Sequence, residues 1–316
     1  MTVPAGKTSG TFCPAQPVAT MMNQSAEANS IDESLIHLKR ITSRVVNLPP
    51  MPVTAARALQ MTQDPMTTAR DLQVIISQDQ ALSARILRIV NSAVYYFRQE
   101  VSTVSHAVAL LGMETIRSII MAASVQQAMQ VGLRMGNDLG TKLMADHSWA
   151  AAIASRLIAQ RVKYAMPEEA LICGLMHDIG KAVLYQAMPV EYLEILSSVY
   201  RREATFHESE MGIWGFSHAH VGALLAGKWN FPRQLSEAIG YHHNPLSAPN
   251  FRQLACIISL SNRMMISLEI GFERNKALML RSLPEFDFLR LAQSDLDAII
   301  PEVQASGAQM SDFISI

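Results

Sequence analysis

Apolar residues recur at intervals of three and four along most of the chain, the period of a helix that buries one face. Pro and Gly separate the segments that carry this pattern, and capping residues stand at several of their starts. Residues 101–104 are the nearest candidate for a strand, but they are too short and isolated to build a sheet. The pattern therefore predicts an all-α protein.

Capping residues and Pro or Gly breaks place the predicted helices. A capping box at 30–33 starts a helix that ends before Pro49. Thr67 or Thr68 is the predicted N-cap of a second helix, and Asp79 that of a third. Further helices are predicted at 105–111, 114–129, 142–162, 167–176, 190–203, 217–229, 232–243 and 251–267, with less regular segments at 278–283 and 289–300.

The chain divides into four parts. Residues 1–29 are rich in small and polar residues with almost no apolar periodicity, which predicts a flexible tail. Gly132, Gly136 and Gly140 cluster in a stretch poor in large apolar residues, which indicates a boundary. We expect an N-terminal helical subdomain at 30–140, a second at 141–270 and a peripheral C-terminal segment at 271–316.

Composition limits the classes of function. Of 316 residues 49% are hydrophobic and 17% are charged, with a net charge of -1, so the chain can bury a large core and has no general electrostatic attraction to nucleic acid. Arg85, Arg88 and Arg98 form a basic grouping that a solvated helix face explains equally well, and nucleic acid is not an expected partner.

No apolar stretch approaches the roughly 18–20 residues of a transmembrane helix, and the N-terminus lacks the apolar core of a signal peptide. Three cysteines far apart in sequence, Cys13, Cys173 and Cys256, fit a reducing compartment. We therefore expect a cytoplasmic protein.

The segment LMHDIGK at 175–181 carries the most informative chemistry. Adjacent His177 and Asp178 side chains at a helix end, where Gly180 lets the backbone turn, can reach one cation or bridge two. The alternative is a capped helix end with a surface aspartate. Thirty residues upstream, His147 lies on a predicted helix with an Ala-rich face, and antiparallel pairing of the two helices would bring it beside His177.

His147 followed by the His177-Asp178 pair resembles the opening of the HD superfamily of metal-dependent phosphohydrolases, and LMHDIGK is similar to its HD-GYP branch. The segments GFSHAHVG at 215–222 and IGYHHNP at 239–245 resemble signatures of HDOD domains, a related signalling branch. LPPMP at 48–52, LRIVNSA at 87–93 and LLGM at 110–113 are similar to the N-terminal helical part of HDOD domains. The resemblance spans about residues 45–266. It implies an N-terminal helical bundle packed on a C-terminal HD-like subdomain.

Two departures from the phosphohydrolase pattern weaken an enzymatic interpretation. The final metal ligand of the HD pattern is an Asp, and SLSNR at 259–263 places Asn262 there, so the site has one anionic ligand fewer. No Gly-Tyr-Pro element follows His243, where Asn244-Pro245 stands instead.

The resemblance implies a candidate metal site at His147, His177, Asp178, His218, His242 and His243, with Asn262 as its degenerate position. No cofactor is required, and Fe, Mn, Ni or Zn are the divalent ions that such a site would take. If the protein is active, Asp178 and Lys181 carry the chemistry, Lys181 meeting a phosphate; a solvated surface role is the alternative for Lys181.

The other histidine assignments remain open. His242 and His243 are either ligand remnants or cationic caps of a helix C-terminus. His220 is expected at the surface of a helix start, and His37, His106 and His207 match no metal spacing.

Two functions follow from the resemblance. The first is a non-catalytic bacterial signal-transduction module that acts through a protein partner. The second is a metal-dependent phosphohydrolase or phosphodiesterase acting on a nucleotide or cyclic nucleotide.

Overall fold

The computed structural model describes residues 49–92, 95, 97–132 and 138–314. All regular elements in these ranges are helical, which confirms the predicted all-α class. The expected tail and the helix that starts at the 30–33 capping box lie outside the described residues. The helices are α1 (Val53–Met61), α2 (Ala69–Ile76), α3 (Gln80–Val90), α4 (Val104–Leu111), α5 (Met113–Gly132), α6 (Asp138–Arg161), α7 (Pro167–Met176), α8 (Ile179–Ala187), α9 (Pro189–Tyr200), α10 (Phe206–Trp214), α11 (His218–Lys228), α12 (Arg233–Tyr241), α13 (Arg252–Ser267), α14 (Pro284–Phe288) and α15 (Gln293–Ile314).

The capping signals locate the first helices well. Of the two candidate threonines Thr68 is the cap, because its Oγ1 accepts the Asp71 amide at 3.2 Å while the Asp71 carboxylate accepts the Thr68 amide at 2.9 Å. Asp79 accepts the Leu82 amide at 2.9 Å. These side chains satisfy amides that the first turn of a helix leaves without partners.

Most predicted helices are present within a few residues of their expected bounds, and α7 occupies the predicted 167–176. The periodicity did not reveal α1, α8, α10 or α14, which are each nine residues or shorter. Residues 101–103 are irregular and lead into α4. The segment at 278–283 holds a single 3-10 turn, Leu280–Ser282.

The pairing of α6 with α7 is the most extensive helix contact in the described part of the chain. Gly174 makes it possible: a Cβ there would lie 2.5 Å from Ser155 Oγ and 2.8 Å from the Ala151 carbonyl oxygen. The small residues on α6 therefore let the two backbones approach as the Ala-rich face predicts. Helix α13 packs on the same helix α6, and α11 packs on α8 and α12.

The two predicted subdomains share one continuous hydrophobic core. Helix α5 packs on α7 and α8, and Arg156 Nε and Tyr95 Oη each donate to Glu168 at 2.8 Å. Helix α6 begins at Asp138, before the expected boundary at 140, and residues 133–137 lie outside the description. The division into subdomains stays a prediction. None of the described helices has the length and apolarity to cross a bilayer.

We expect Gly174→Ala to destabilise the fold by about 1–3 kcal/mol, because its methyl group would overpack the contact between α6 and α7. Urea unfolding measures the change. Gly212→Ala on α10 is the matched control: no atom lies within 4 Å of its added methyl, so its stability should rise by roughly 0.5–1 kcal/mol. Equal effects of the two substitutions would contradict the close approach of α6 and α7.

Candidate functional site

Asp178 lies at the centre of a buried polar cluster. His177 and Asp178 link the end of α7 to the start of α8, and neither side chain reaches solvent. The Asp178 Oδ2 atom lies 3.4 Å from the Nε2 atoms of both His147 and His177. The two Nε2 atoms are 3.2 Å apart, so the structure places His147 beside His177.

The other oxygen of Asp178 faces a second group of histidines. Its Oδ1 atom lies 3.2 Å from His218 Nε2 and 4.0 Å from His242 Nε2. His243 Nε2 lies 2.9 Å from His218 Nε2. The Asp178 carboxylate thus lies between two groups of imidazoles, one on each side.

Backbone carbonyls orient three of these rings. His177 Nδ1 donates to the Gly174 carbonyl at 2.7 Å, and His242 Nδ1 donates to the Ile239 carbonyl at the same distance. His147 Nδ1 pairs with the Ile270 carbonyl at 3.0 Å. Because Nδ1 carries the proton in these pairs, Nε2 is left with a free electron pair directed at the cluster, the arrangement found around bound metals.

Two glycines permit these positions. A Cβ on Gly180 of α8 would collide with the His218 carbonyl oxygen, so this glycine lets α8 approach the start of α11. Gly271 has φ +109°, and a Cβ there would lie 2.9 Å from His147 Nδ1. Both histidines depend on a neighbouring glycine for their place.

Glu210 on α10 is a site residue that the sequence analysis did not identify. Its Oε2 atom accepts the His218 Nδ1 proton at 2.6 Å and the His218 amide at 2.7 Å, and the side chain is fully buried. The sequence did contain a signal for this helix, the capping box of Thr205 and Glu208 at its start. Glu210 follows on the buried face of the helix that this box marks.

Burial keeps most of the imidazoles neutral. It lowers the pKa of His177 to about 4, in spite of the Asp178 charge, and lowers the pKa values of His242 and His243 well below their usual value. Neutral rings do not act as cationic helix caps, so the capping alternative for the His242-His243 pair is not supported. Neutral imidazole is also the form that binds metal.

In contrast to these neutral rings, His218 and Asp178 are held in their charged forms. Burial disfavours the His218 cation, but Glu210 and Asp178 outweigh it and raise its pKa to about 9. Burial disfavours the Asp178 anion as well, yet the neighbouring charges, of which Lys181 and His218 are cations at neutral pH, hold the pKa of Asp178 well below its usual value. Asp178 is therefore an anion without access to water, with the Lys181 ammonium beside one oxygen and the His218 imidazolium beside the other.

Lys181 is the fixed cation of the cluster. Its Nζ lies 2.7 Å from Asp178 Oδ2 and 4.3 Å from the centroid of the Phe206 ring. Burial disfavours its charge, but Asp178 and Glu273 outweigh burial and raise its pKa. The solvated role considered for Lys181 is wrong, because the side chain is buried one turn after its carboxylate partner.

The donor set fits a divalent ion, provided that binding of the ion displaces the Nε2 proton of His218. His147, His177 and Asp178 form one three-ligand group and His218, His242 and His243 the other, with the ligand atoms of each within 4.8 Å of one another. Asp178 Oδ1 and His242 Nε2 are buried without a hydrogen-bond partner, and the 3.2 Å approach of Oδ1 to His218 lacks hydrogen-bond alignment. Orphaned atoms of this kind are costly to bury, and a cation between them would satisfy them.

Asn262 lies beside the first group. It is buried on α13 and lines a small pocket with His147, Asp178 and Lys181. Met144, Phe206, Phe272 and Glu273 complete the pocket, which has room for about one water molecule. All the candidate residues from the sequence thus meet in one place; their role as metal ligands stays a prediction.

The remaining described histidines take other positions. His220 Nδ1 accepts the Ser217 amide at 3.0 Å and completes the cap of α11. His207 on α10 stacks on His243 with ring centroids 4.3 Å apart, a contact that metal-ligand spacing did not indicate. His106 is exposed on α4, and His37 lies outside the described residues.

Solved structures from several bacteria share this architecture. An HDOD domain protein of unknown function from Geobacter sulfurreducens superposes with a TM-score of 0.74 at 23% identity, covering 90% of this chain and 98% of that one. A protein from Shewanella amazonensis SB2B, named only as a candidate phosphohydrolase, gives a TM-score of 0.71 at 26% identity, covering 87% and 98%.

Sequence comparisons identify a relative and a family. An uncharacterised protein of Treponema pallidum (strain Nichols) is 25% identical over 228 residues, which are 70% of this chain and only 43% of that protein. The family model for the HDOD domain matches residues 48–245, well over half of the chain. The chain therefore belongs to the HDOD domain family.

Proposed function

We propose that this protein is a non-catalytic regulatory module that acts in bacterial signalling through a protein partner, with the buried histidine cluster retained as a degenerate metal site. The observation that carries the proposal is the ion pair between Lys181 Nζ and Asp178 Oδ2 at 2.7 Å. Asp178 is the carboxylate of the first ligand group, and the ammonium of Lys181, one helical turn later, already neutralises its charge.

The identity of Asn262 supports the same conclusion. An amide oxygen is a neutral and weaker ligand than a carboxylate, and Asn262 lines the pocket beside the first group. The first ligand group therefore has one carboxylate, Asp178, where two would bind a divalent ion more tightly. Weaker binding disfavours hydrolysis, because fewer molecules would hold the metal that activates the attacking water.

The dimensions of the pocket also disfavour a nucleotide substrate. Phosphoryl transfer requires the reacting phosphate to lie beside the catalytic groups, and the space next to His147, Asp178 and Lys181 holds about one water molecule. The aromatic rings of Phe206 and Phe272 line this space. A module of this form would act through its outer surface.

A metal-dependent phosphohydrolase or phosphodiesterase acting on a nucleotide or cyclic nucleotide is the second candidate. It is favoured by the two three-ligand groups on either side of Asp178. The chemistry that a bound divalent ion supplies in such enzymes is Lewis-acid polarisation of a phosphoryl oxygen. Asp178 would hold the ion or ions, and Lys181 would neutralise charge on the phosphate.

Metal content and hydrolysis distinguish the two functions. We expect protein purified without chelator to contain substoichiometric Fe, Mn, Ni and Zn by elemental analysis, because the first group has one carboxylate only. With added metal it should release no phosphate from nucleotides and open no cyclic dinucleotide. Stoichiometric metal together with metal-dependent turnover would establish the enzyme instead.

Asn262→Asp tests the cause of weak binding. The added carboxylate should raise the affinity for Mn or Zn by about tenfold or more, measured by calorimetric titration, because it provides the missing anionic ligand. Asn230→Asp, at an exposed position after α11, adds the same charge away from the pocket and should leave affinity unchanged. An unchanged affinity in the Asn262 variant would show that this position does not limit metal binding.

Lys181→Met should lower the free energy of unfolding by roughly 3–5 kcal/mol, because it leaves the Asp178 charge buried without its closest cation. Chemical denaturation measures the loss. Lys276→Met removes an exposed lysine, 3.1 Å from Glu269, and should cost at most about 1 kcal/mol. Similar losses in both variants would mean that Lys181 does not balance Asp178.

Affinity capture from native lysate, with and without chelator, tests whether the protein acts through a protein partner. A partner that remains bound in both conditions, and that binds the isolated chain again when purified, supports a role that does not depend on metal. Loss of the partner on chelation would contradict that role.

A further inference from the structure

Helix α9 exposes an apolar stripe on its outer face. Val190, Leu193 and Tyr200 are 68%, 53% and 82% exposed, and their spacing places them with Ser197 on one side of the helix. The opposite side is anchored in the core through the buried residues Tyr192, Ile195 and Val199. The stripe is therefore a surface on a rigidly held helix.

Charged residues border this stripe in a self-complementary order. Glu194 lies in the middle of α9 and Arg201 caps its end, two helical turns apart along the same edge. Leu193 and Tyr200 are also two turns apart and form the other edge. The charged pair and the apolar pair are thus each seven residues apart.

We propose that α9 is the contact surface of a homodimer, in which it pairs antiparallel with α9 of a second copy about a two-fold axis near Ser197. In that arrangement each Glu194 faces Arg201 of the other copy, and each Leu193 faces Tyr200 of the other copy. A two-fold interface requires this kind of self-complementarity. Parallel pairing would place Glu194 against Glu194.

Glu194 and Arg201 are free to form these pairs with a second copy. Glu194 is exposed and makes no ion pair within the described part of the chain. Arg201 donates to Glu203 at 2.7 Å and 2.9 Å and to Ser197 Oγ at 2.7 Å. The pair of Arg201 and Glu203 is half-exposed, so it contributes little and can be shared with a carboxylate of the second copy.

Sedimentation equilibrium of the full chain tests the dimer. We expect a concentration-dependent dimer, because one helix pair buries less than the roughly 1,200 Å² of a strong interface. Leu193→Asp should abolish it without unfolding, since this side chain is half-exposed. Val53→Asp on α1, 84% exposed, is the control and should leave the dimer unchanged. A monomer at all concentrations would overturn the proposal.

Charge reversal tests the orientation. Glu194→Arg and Arg201→Glu should each weaken self-association by about tenfold or more, because each turns two attractive pairs into repulsive ones. An equimolar mixture of the two variants should recover dimers, as the first chain is cationic and the second anionic at both positions. Failure of the mixture to recover, with both variants folded by circular dichroism, would overturn antiparallel pairing.

A cysteine placed on the axis gives a direct readout. Ser197→Cys should form a disulfide-linked dimer under mild oxidation, because the two copies of this position meet in the proposed arrangement. The parent chain, which keeps its own three cysteines, is the control. Equal cross-linking of the two proteins would contradict the placement of Ser197 at the axis.

Discussion

A carboxylate without access to water must be surrounded by positive charge or hydrogen-bond donors, and this requirement organises the C-terminal half of the protein. Asp178 is completely buried between two helices. Lys181 provides a charge from the same stretch of chain, while the charged His218 approaches from α11. Unfolding any of the helices that bring these groups together would leave the anion partly uncompensated, which is a strongly unfavourable state.

Small residues let the helices come close enough to meet this requirement. Gly174 allows contact between α6 and α7, Gly180 allows contact between α8 and the start of α11, and Gly271 leaves room for the His147 ring. In each place a methyl group would collide with a neighbouring atom. The geometry of the polar cluster therefore depends on the packing of the apolar helices around it.

Helix α9 connects the cluster with the surface. Its inward Tyr192 lies 3.4 Å from Glu210, the carboxylate that holds His218, and stacks on Phe206 beside Lys181. Its outer face carries the apolar stripe from which we infer the dimer. The buried charges and the exposed stripe thus lie on opposite sides of one helix.

The sequence by itself determined the all-α class, the cap at Asp79, the bounds of α7 and the family motifs, because these follow from local spacing and from short patterns of residue types. It left Thr67 and Thr68 as alternative caps, between which the structure decided. The same local rules missed α8 and α10, which are short helices stabilised mainly by packing in the core. Glu210 was missed together with α10.

Only the tertiary structure decided that Asp178 lies between both histidine groups, that Lys181 is buried against it and that Glu210 holds His218. These contacts join positions on different helices, and the direction in which helices approach one another depends on close packing across the whole core. Periodicity along one segment shows which face is buried, but it carries no information about which other face lies against it.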